Sequence, residues 1–168
     1  MKNNDSKSFL NDCFNSPTYG VLSLVKLRRK ALEFIESAPE YQYRLVIGTD
    51  SQPKNGHGVD FVTAIVIHRV GYGGIYFWRR IIDSKTYVLR SRIYQEAALS
   101  LACADEVLAL LKNDGITKYD VEIHVDIGSI GETKEMINEV VGMVRSCGFN
   151  VKTKPHSYGA SKVADRHT

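Results

Sequence analysis

The chain has few of the features that mark stapled, secreted or membrane-embedded proteins. Its three cysteines, Cys13, Cys103 and Cys147, are far apart and form no CxxC pair, so neither a zinc ribbon nor a disulfide framework is expected. No apolar run approaches the roughly 20 residues of a membrane span, and residues 1–15 lack the apolar core of a signal peptide. We therefore expect a soluble, cytoplasmic protein that does not contact a membrane.

The net charge is also small. The 22 basic and 19 acidic residues leave +3, which is too little to establish a nucleic-acid partner and not negative enough to exclude one. With 43% hydrophobic and 24% charged residues, the composition resembles that of globular domains. Disorder, collagen and coiled coil are therefore poor fits. The 168 residues suit one domain that needs no metal ion or disulfide for stability.

The order of predicted elements indicates an α/β fold. Residues 1–17 are polar and are expected to form a flexible arm, and residues 18–38 have the spacing of an amphipathic helix. Three strands, a helix, a strand, a helix, a strand and a short helix follow, over residues 43–49, 59–67, 75–82, 91–111, 121–127, 132–146, 149–153 and 160–166. A glycine-rich turn at 71–74 makes the second and third strands a hairpin.

These elements predict one domain over residues 18–168 with its core at 43–168. Helical crossovers between the later strands imply parallel pairing, whereas the first three strands form an antiparallel meander. The expected architecture is a mixed five-stranded sheet flanked by helices, with 18–38 as an extra N-terminal helix.

Four acidic residues occupy positions from which they can meet. Asp50 ends the first strand and Asp126 the fourth, so in parallel neighbours about 4.8 Å apart they face each other where open α/β sheets bind ligands. Glu96 continues an apolar stripe of the long helix and should point toward the sheet, and Asp165 lies in the last helix. Close carboxylates repel unless a cation joins them, and Mg²⁺ suits them. Taken singly, each acid also has an ordinary structural explanation in a turn, a helix start or a solvated surface.

This arrangement resembles the ribonuclease H-like fold. Segments 47–52 (IGTDSQ) and 161–168 (SKVADRHT) are similar to those of a small bacterial group within it, the YkuK-type proteins of unassigned substrate. The resemblance covers about residues 43–168. It implies an enzyme, a metal-dependent nuclease that hydrolyses phosphodiester bonds of RNA, RNA/DNA hybrid or structured DNA.

The resemblance also implies roles for particular residues. Asp50, Glu96, Asp126 and Asp165 would hold two Mg²⁺ ions, with Mn²⁺ as a substitute and Asp50 bridging both; the ions clamp the attacking water and the leaving oxygen. His156 stands where ribonuclease H enzymes often carry a loop histidine that assists proton transfer or product release; an exposed loop residue is the alternative. Two departures are the lack of a basic insertion after the long helix, and Gln52, where proofreading exonucleases have a second acid.

Basic residues flank the acids, as expected for a protein that neutralises phosphates. The candidates for nucleic-acid contact are Arg79, Arg80, Arg90, Arg92, Lys154, Lys162 and Arg166. Interleaved aromatic side chains offer stacking surfaces for bases, namely Tyr76, Trp78, Tyr87 and Tyr94. The alternative for both sets is a solvated rim and a set of core aromatics.

Two other functions remain open. Segment 126–133 (DIGSIGET) resembles the phosphate loop of sugar kinases and actin-like ATPases, whose lobes share the fold, although it lacks the Gly-Lys-Ser/Thr of a Walker loop. The other function is a non-catalytic nucleic-acid-binding or assembly module that keeps the fold. Metal-dependent cleavage distinguishes the nuclease from both.

Overall fold

A mixed β-sheet organises the protein. The computed structural model describes residues 13–55, 58–117, 120–131 and 133–168. Its strands are β1 (Cys13–Ser16), β2 (Gly20–Ser23), β3 (Tyr43–Pro53), β4 (Val59–Arg69), β5 (Gly74–Asp83), β6 (Val121–His124) and β7 (Asn150–Lys152). The α-helices are α1 (Leu24–Glu36), α2 (Leu89–Leu111) and α3 (Ile137–Ser146). The C-terminal segment, residues 159–167, joins a π-helical stretch, Gly159–Ala164, to a 3₁₀ turn, Asp165–His167.

The strand pairing agrees with the predicted topology in the core. The sheet order is β2-β1-β5-β4-β3-β6-β7. β3, β4 and β5 pair antiparallel as a meander, and β3, β6 and β7 pair parallel. The prediction of an α/β fold with a mixed sheet is therefore confirmed.

The N-terminal region differs from the prediction. Five strands is the wrong count, because β1 and β2 form a hairpin that extends the sheet beyond β5. Phe14 is fully buried in the main core, so residues 13–16 are not part of a flexible arm, and residues 1–12 lie outside the described residues. Gly20 has φ +72°, which interrupts the helical pattern, and the Ser23 side chain accepts the backbone N–H of Lys26. The helix therefore begins at Leu24, and the addition is a hairpin with a helix rather than a helix alone.

The two faces of the sheet have different covers. Side chains alternate along each strand. On one face, residues such as Ile47 and Phe77 pack with the three α-helices in the main core. On the other face, the C-terminal segment packs its buried Ala164 against Val62 and Ala64. Asp50 has the same parity as the residues of this second face.

The later elements follow the predicted order with changed bounds. α2 passes into a 3₁₀ turn, Lys112–Asp114, which ends at Gly115 with φ +78°. A second 3₁₀ turn, Lys134–Met136, precedes α3, and Glu132, expected to start that helix, lies outside the described residues. The last predicted helix is π and 3₁₀ rather than α. Among the helices within the described ranges, none combines the length and apolarity needed to cross a bilayer.

Candidate metal and active site

Asp50 and Asp126 occupy matching positions on neighbouring strands. β3 and β6 run parallel, and their last aligned pair is Gly48 with His124. Asp50 and Asp126 each follow that pair by two residues. β3 continues to Pro53 because it remains paired with β4, whereas regular pairing of β6 ends at His124. The two carboxylates thus come to one edge of the sheet, as the sequence predicts for parallel strands.

A buried hydroxyl chain places Glu96 at the same edge. The Thr49 hydroxyl lies 2.9 Å from that of Thr63 and accepts a 2.8 Å hydrogen bond from Ser100 Oγ. These contacts fix the position of α2 along β3 and β4. One helical turn earlier, Glu96 Oε1 accepts a 2.5 Å hydrogen bond from Ser51 Oγ. Glu96 is only 6% exposed, and it reaches the site from the face opposite Asp50.

Asp165 arrives on the C-terminal segment, from the face of Asp50. Its side chain is exposed, and its backbone carbonyl lies 2.9 Å from the hydroxyl of Thr168. The same hydroxyl lies 3.5 Å from Asp50 Oδ2. The end of the chain, which carries Asp165, is therefore in contact with Asp50 through Thr168.

Burial and mutual repulsion disfavour the ionised carboxylates. Desolvation, followed by repulsion from Asp165 and Asp126, raises the pKa of Asp50 to about 6. Desolvation is also the main reason that the pKa of Glu96 is raised to about 8; Asp50 and Asp126 add repulsion, while Ser51 and Arg92 act in the opposite direction. The four acids expected from the sequence thus share one electrostatic environment.

The acids do not form a complete metal-binding site by themselves in this structure. Within the described residues, no three His, Cys, Asp or Glu side chains are arranged to hold a metal ion. Three of the acids instead have protein partners: Ser51 for Glu96, Thr168 for Asp50, and an ammonium group for Asp126. The buried Oδ1 of Asp126 has no hydrogen-bond partner in the described part of the chain. An all-carboxylate donor set with one orphaned oxygen fits a hard divalent cation.

Lys154 supplies the ammonium group. Its Nζ lies 3.2 Å from Asp126 Oδ2, and the lysine side chain is 52% exposed. The backbone N–H of Lys154 donates to the carbonyl of Ile127. Gly128 leaves room for the lysine stem, since a Cβ there would stand 3.2 Å from Lys154 Cβ. The lysine is thus held beside the acids, where a cation or a phosphate would come.

One candidate nucleic-acid contact is wrong. The Arg79 side chain is 5% exposed and lies on the helix-covered face, because it has the parity of Phe77. Its guanidinium donates to both carboxylate oxygens of Glu106 at 2.9 and 3.1 Å and stands over the ring of Phe14. Arg79 is a structural residue that no ligand reaches.

The other basic candidates divide by location. Arg90 is an exposed partner of Glu139, between α2 and α3. Arg80 is exposed and donates to the backbone carbonyl of His167. Arg92 lies near Glu96, where its positive charge opposes part of the rise in the pKa of that carboxyl group. Lys162 and Arg166 are exposed on the C-terminal segment.

The aromatic candidates have partners within the protein. Trp78 stacks on His167 with ring centroids 4.3 Å apart, and the Tyr76 hydroxyl lies 3.1 Å from His167 Nε2. The Tyr87 hydroxyl donates to Asp83, and that of Tyr94 to Glu139. His156 is exposed in the loop between β7 and the C-terminal segment, where its backbone N–H donates to the carbonyl of Thr153, and its expected role stays a prediction.

Sequence reasoning missed several residues of this site. Asp60 is buried at 2% exposure on the face of Asp50. Its Oδ2 lies 2.8 Å from Lys54 Nζ and 3.7 Å from Arg80 Nε. An acid inside the apolar run 59–67 was the available signal. Thr168 had no such signal, because it lies 118 positions from Asp50 in the sequence and only the tertiary structure brings the two together.

The segment that resembles a phosphate loop has one of its glycine amides already engaged within the protein. The backbone N–H of Gly128 lies 3.4 Å from the hydroxyl of Thr133. A 3₁₀ turn rather than an α-helix follows Thr133, so this stretch lacks the helix N-terminus that binds phosphate in such loops. Glu132 lies outside the described residues.

Comparison with known proteins identifies relatives. A family model described as "Ribonuclease H-like" matches residues 26–168. The chain is 35% identical over 149 residues to the uncharacterized protein YkuK of Bacillus subtilis (strain 168), covering 80% of this chain and 84% of that protein. No solved structure gives a significant match.

Proposed function

The chain belongs to the ribonuclease H-like family, and from that premise we propose that it is a metal-dependent nuclease. The observation that carries the proposal is the meeting of Asp50 and Asp126 at one sheet edge, with Glu96 and Asp165 brought there from opposite faces. Its reaction is the hydrolysis of phosphodiester bonds in RNA, RNA/DNA hybrid or structured DNA.

The carboxylates are the residues that would hold the metal. Asp50, in electrostatic contact with Asp126, Asp165 and Glu96, would be the shared ligand, and the other three would complete the set. Two divalent ions, Mg²⁺ or Mn²⁺, supply Lewis-acid activation of water and stabilisation of the leaving oxygen when they are bound. Ser51 and Thr168 orient the carboxylates of Glu96 and Asp50 by hydrogen bonding.

The surrounding basic groups suit a polyanionic substrate. Lys154 lies beside Asp126, and Arg92 lies near Glu96. We propose that these two contact the phosphate being cleaved, while Arg80, Lys162 and Arg166 contact the flanking phosphates. His156 remains a candidate for proton transfer.

The test is cleavage by the purified protein on a panel of labelled single strands, duplexes, RNA/DNA hybrids and four-way junctions. We expect cleavage of at least one substrate with Mg²⁺ or Mn²⁺, none with EDTA, and loss of at least a hundredfold in Asp50→Asn. The matched control is Asp105→Asn, the same chemical change at an exposed site of α2. This site lies about 13 Å along the helix from Glu96. Equal cleavage by wild type and Asp50→Asn would assign the activity to a contaminant.

A non-catalytic nucleic-acid-binding module is the second candidate. The ion pair of Lys154 with Asp126 favours it, because an ammonium group there neutralises the acid without a metal ion. This candidate predicts that the protein binds the same substrates with equal affinity in Mg²⁺ and in EDTA, and that it leaves them intact.

A further inference from the structure

The side chains on one face of β5 contact the end of the chain. Tyr76, Trp78 and Arg80 alternate along the strand, so their side chains share the face that the segment covers. The His167 ring stacks on Trp78 with an interplanar angle of 11°, and its Nε2 faces the Tyr76 hydroxyl at 3.1 Å. Arg80 donates to the carbonyl of the same residue. His167 is thus held by its ring, by its ring nitrogen and by its backbone.

The same residue lies between two groups of the candidate site. Asp165 precedes it by two residues, and Thr168, whose hydroxyl reaches Asp50, follows it. Asp165 itself is exposed. It begins a three-residue 3₁₀ turn after a six-residue π-helical stretch, and such short segments have little order of their own.

We propose that Tyr76, Trp78 and Arg80 form a cradle for His167 that positions Asp165 for cation binding and Thr168 for its contact with Asp50. His167 is a positioning residue, since it acts through Asp165. The inference rests on the proposed function. It also gives Trp78 a partner within the protein, because the imidazole occupies one face of the indole.

Asp60 lies beside Arg80, at the far end of the cradle. Its Oδ2 lies 3.7 Å from Arg80 Nε, and its other oxygen is buried without a hydrogen-bond partner among the described residues. The same Oδ2 lies closer to Lys54 Nζ, at 2.8 Å, so the buried carboxylate attracts Arg80 as the second of two neighbouring cations. The contacts therefore run from Asp60 through Arg80 and His167 to the hydroxyl of Thr168 and the carboxylate of Asp50.

The test is Mn²⁺ binding by calorimetry in four proteins: wild type, His167→Ala, His167→Phe and Tyr72→Ala. We expect His167→Ala to bind about tenfold more weakly, as is typical when a group that orients a metal ligand is lost. His167→Phe keeps a ring on Trp78 and should stay within about threefold of wild type. The control removes the contact between Tyr41 and Tyr72 at the opposite end of β5 and should change nothing.

A second readout needs no metal ion. The chain has one tryptophan, Trp78, so its emission reports the surroundings of that ring, which include the stacked His167. We expect the emission maximum or intensity to change in metal-free His167→Ala and to change less in His167→Phe. Tyr72→Ala should keep the wild-type spectrum.

The outcomes separate the cradle from the nuclease. If wild type binds Mn²⁺ and His167→Ala binds equally well, the cradle is refuted and the nuclease proposal stands. If wild type binds no Mn²⁺, the nuclease proposal fails and the cradle fails with it. If His167→Ala binds a single-stranded oligonucleotide more tightly than wild type without metal, Trp78 is a base platform that His167 covers, which also overturns the cradle.

Discussion

Replacing Glu96 by glutamine in the metal-free protein removes a carboxyl group whose ionised form the fold disfavours. Glu96 is 6% exposed, and its pKa is raised to about 8 from an ordinary value of 4.5. The folded protein therefore binds more protons at this position than the unfolded chain does. Stability from this group is fully present below about pH 4.5 and is lost as the pH rises through about 8.

The magnitude follows from the two pKa values. One pKa unit corresponds to about 1.4 kcal/mol, so ionisation of Glu96 lowers the free energy of unfolding of wild type by about 4 kcal/mol between pH 5 and pH 9. Glutamine has nearly the same shape, does not ionise, and still accepts a hydrogen bond from Ser51 Oγ. We therefore expect Glu96→Gln to resemble wild type near pH 5 and to be the more stable protein at pH 9.

The assay is urea unfolding followed by far-ultraviolet circular dichroism at a series of pH values in EDTA. The quantity that matters is the difference in free energy of unfolding between Glu96→Gln and wild type, because the other titrating groups largely cancel. Asp105→Asn is the control and should give a flat difference. A difference between Glu96→Gln and wild type that stays constant within about 1 kcal/mol across this range would refute the account of Glu96 as a carboxylate desolvated by the site.

Two further predictions concern the scaffold. Glu106→Gln leaves Arg79 buried without its charged partner and should lower the free energy of unfolding by about 3 kcal/mol. Glu139→Gln, at the exposed pair with Arg90, should leave the urea midpoint unchanged. Equal midpoints for the two variants would contradict this. Gly159→Ala places a Cβ 2.6 Å from Val46 Cγ1 and should destabilise the protein by about 1–3 kcal/mol. Gly142→Ala meets open space within α3 and should stabilise it by up to about 1 kcal/mol, so calorimetric melting temperatures should move in opposite directions.

The parallel pairing and the sheet edge could be predicted because they depend on local patterns. Strand composition and the helices between the later strands determine that β3 and β6 run parallel, and this places Asp50 beside Asp126. Glu96 was predictable for the same reason, since its position in the apolar stripe of α2 directs it toward the sheet. These arguments need only periodicity and connection rules.

The hairpin and the cradle could not be predicted because they depend on long-range packing. The polar composition of residues 1–17 gave no sign that Phe14 would be fully buried. The pattern at 18–23 satisfied a helical period, but Gly20 and pairing with β1 overrode it. In the same way, His167 and Trp78 are 89 positions apart, and only tertiary structure brings them together. Arg79 was misassigned because neighbouring residues of a strand point to opposite faces, so Arg79 enters the core while Arg80 stays exposed.

The most direct test of the central claim is a crystal structure of the protein grown with Mn²⁺, with data collected to locate the anomalous scattering of manganese. The account predicts anomalous peaks in contact with Asp50, the nearest of them shared with Asp126 or Glu96, and Lys154 displaced from Asp126. Crystals at saturating Mn²⁺ without such peaks, with Lys154 still paired to Asp126, would contradict it.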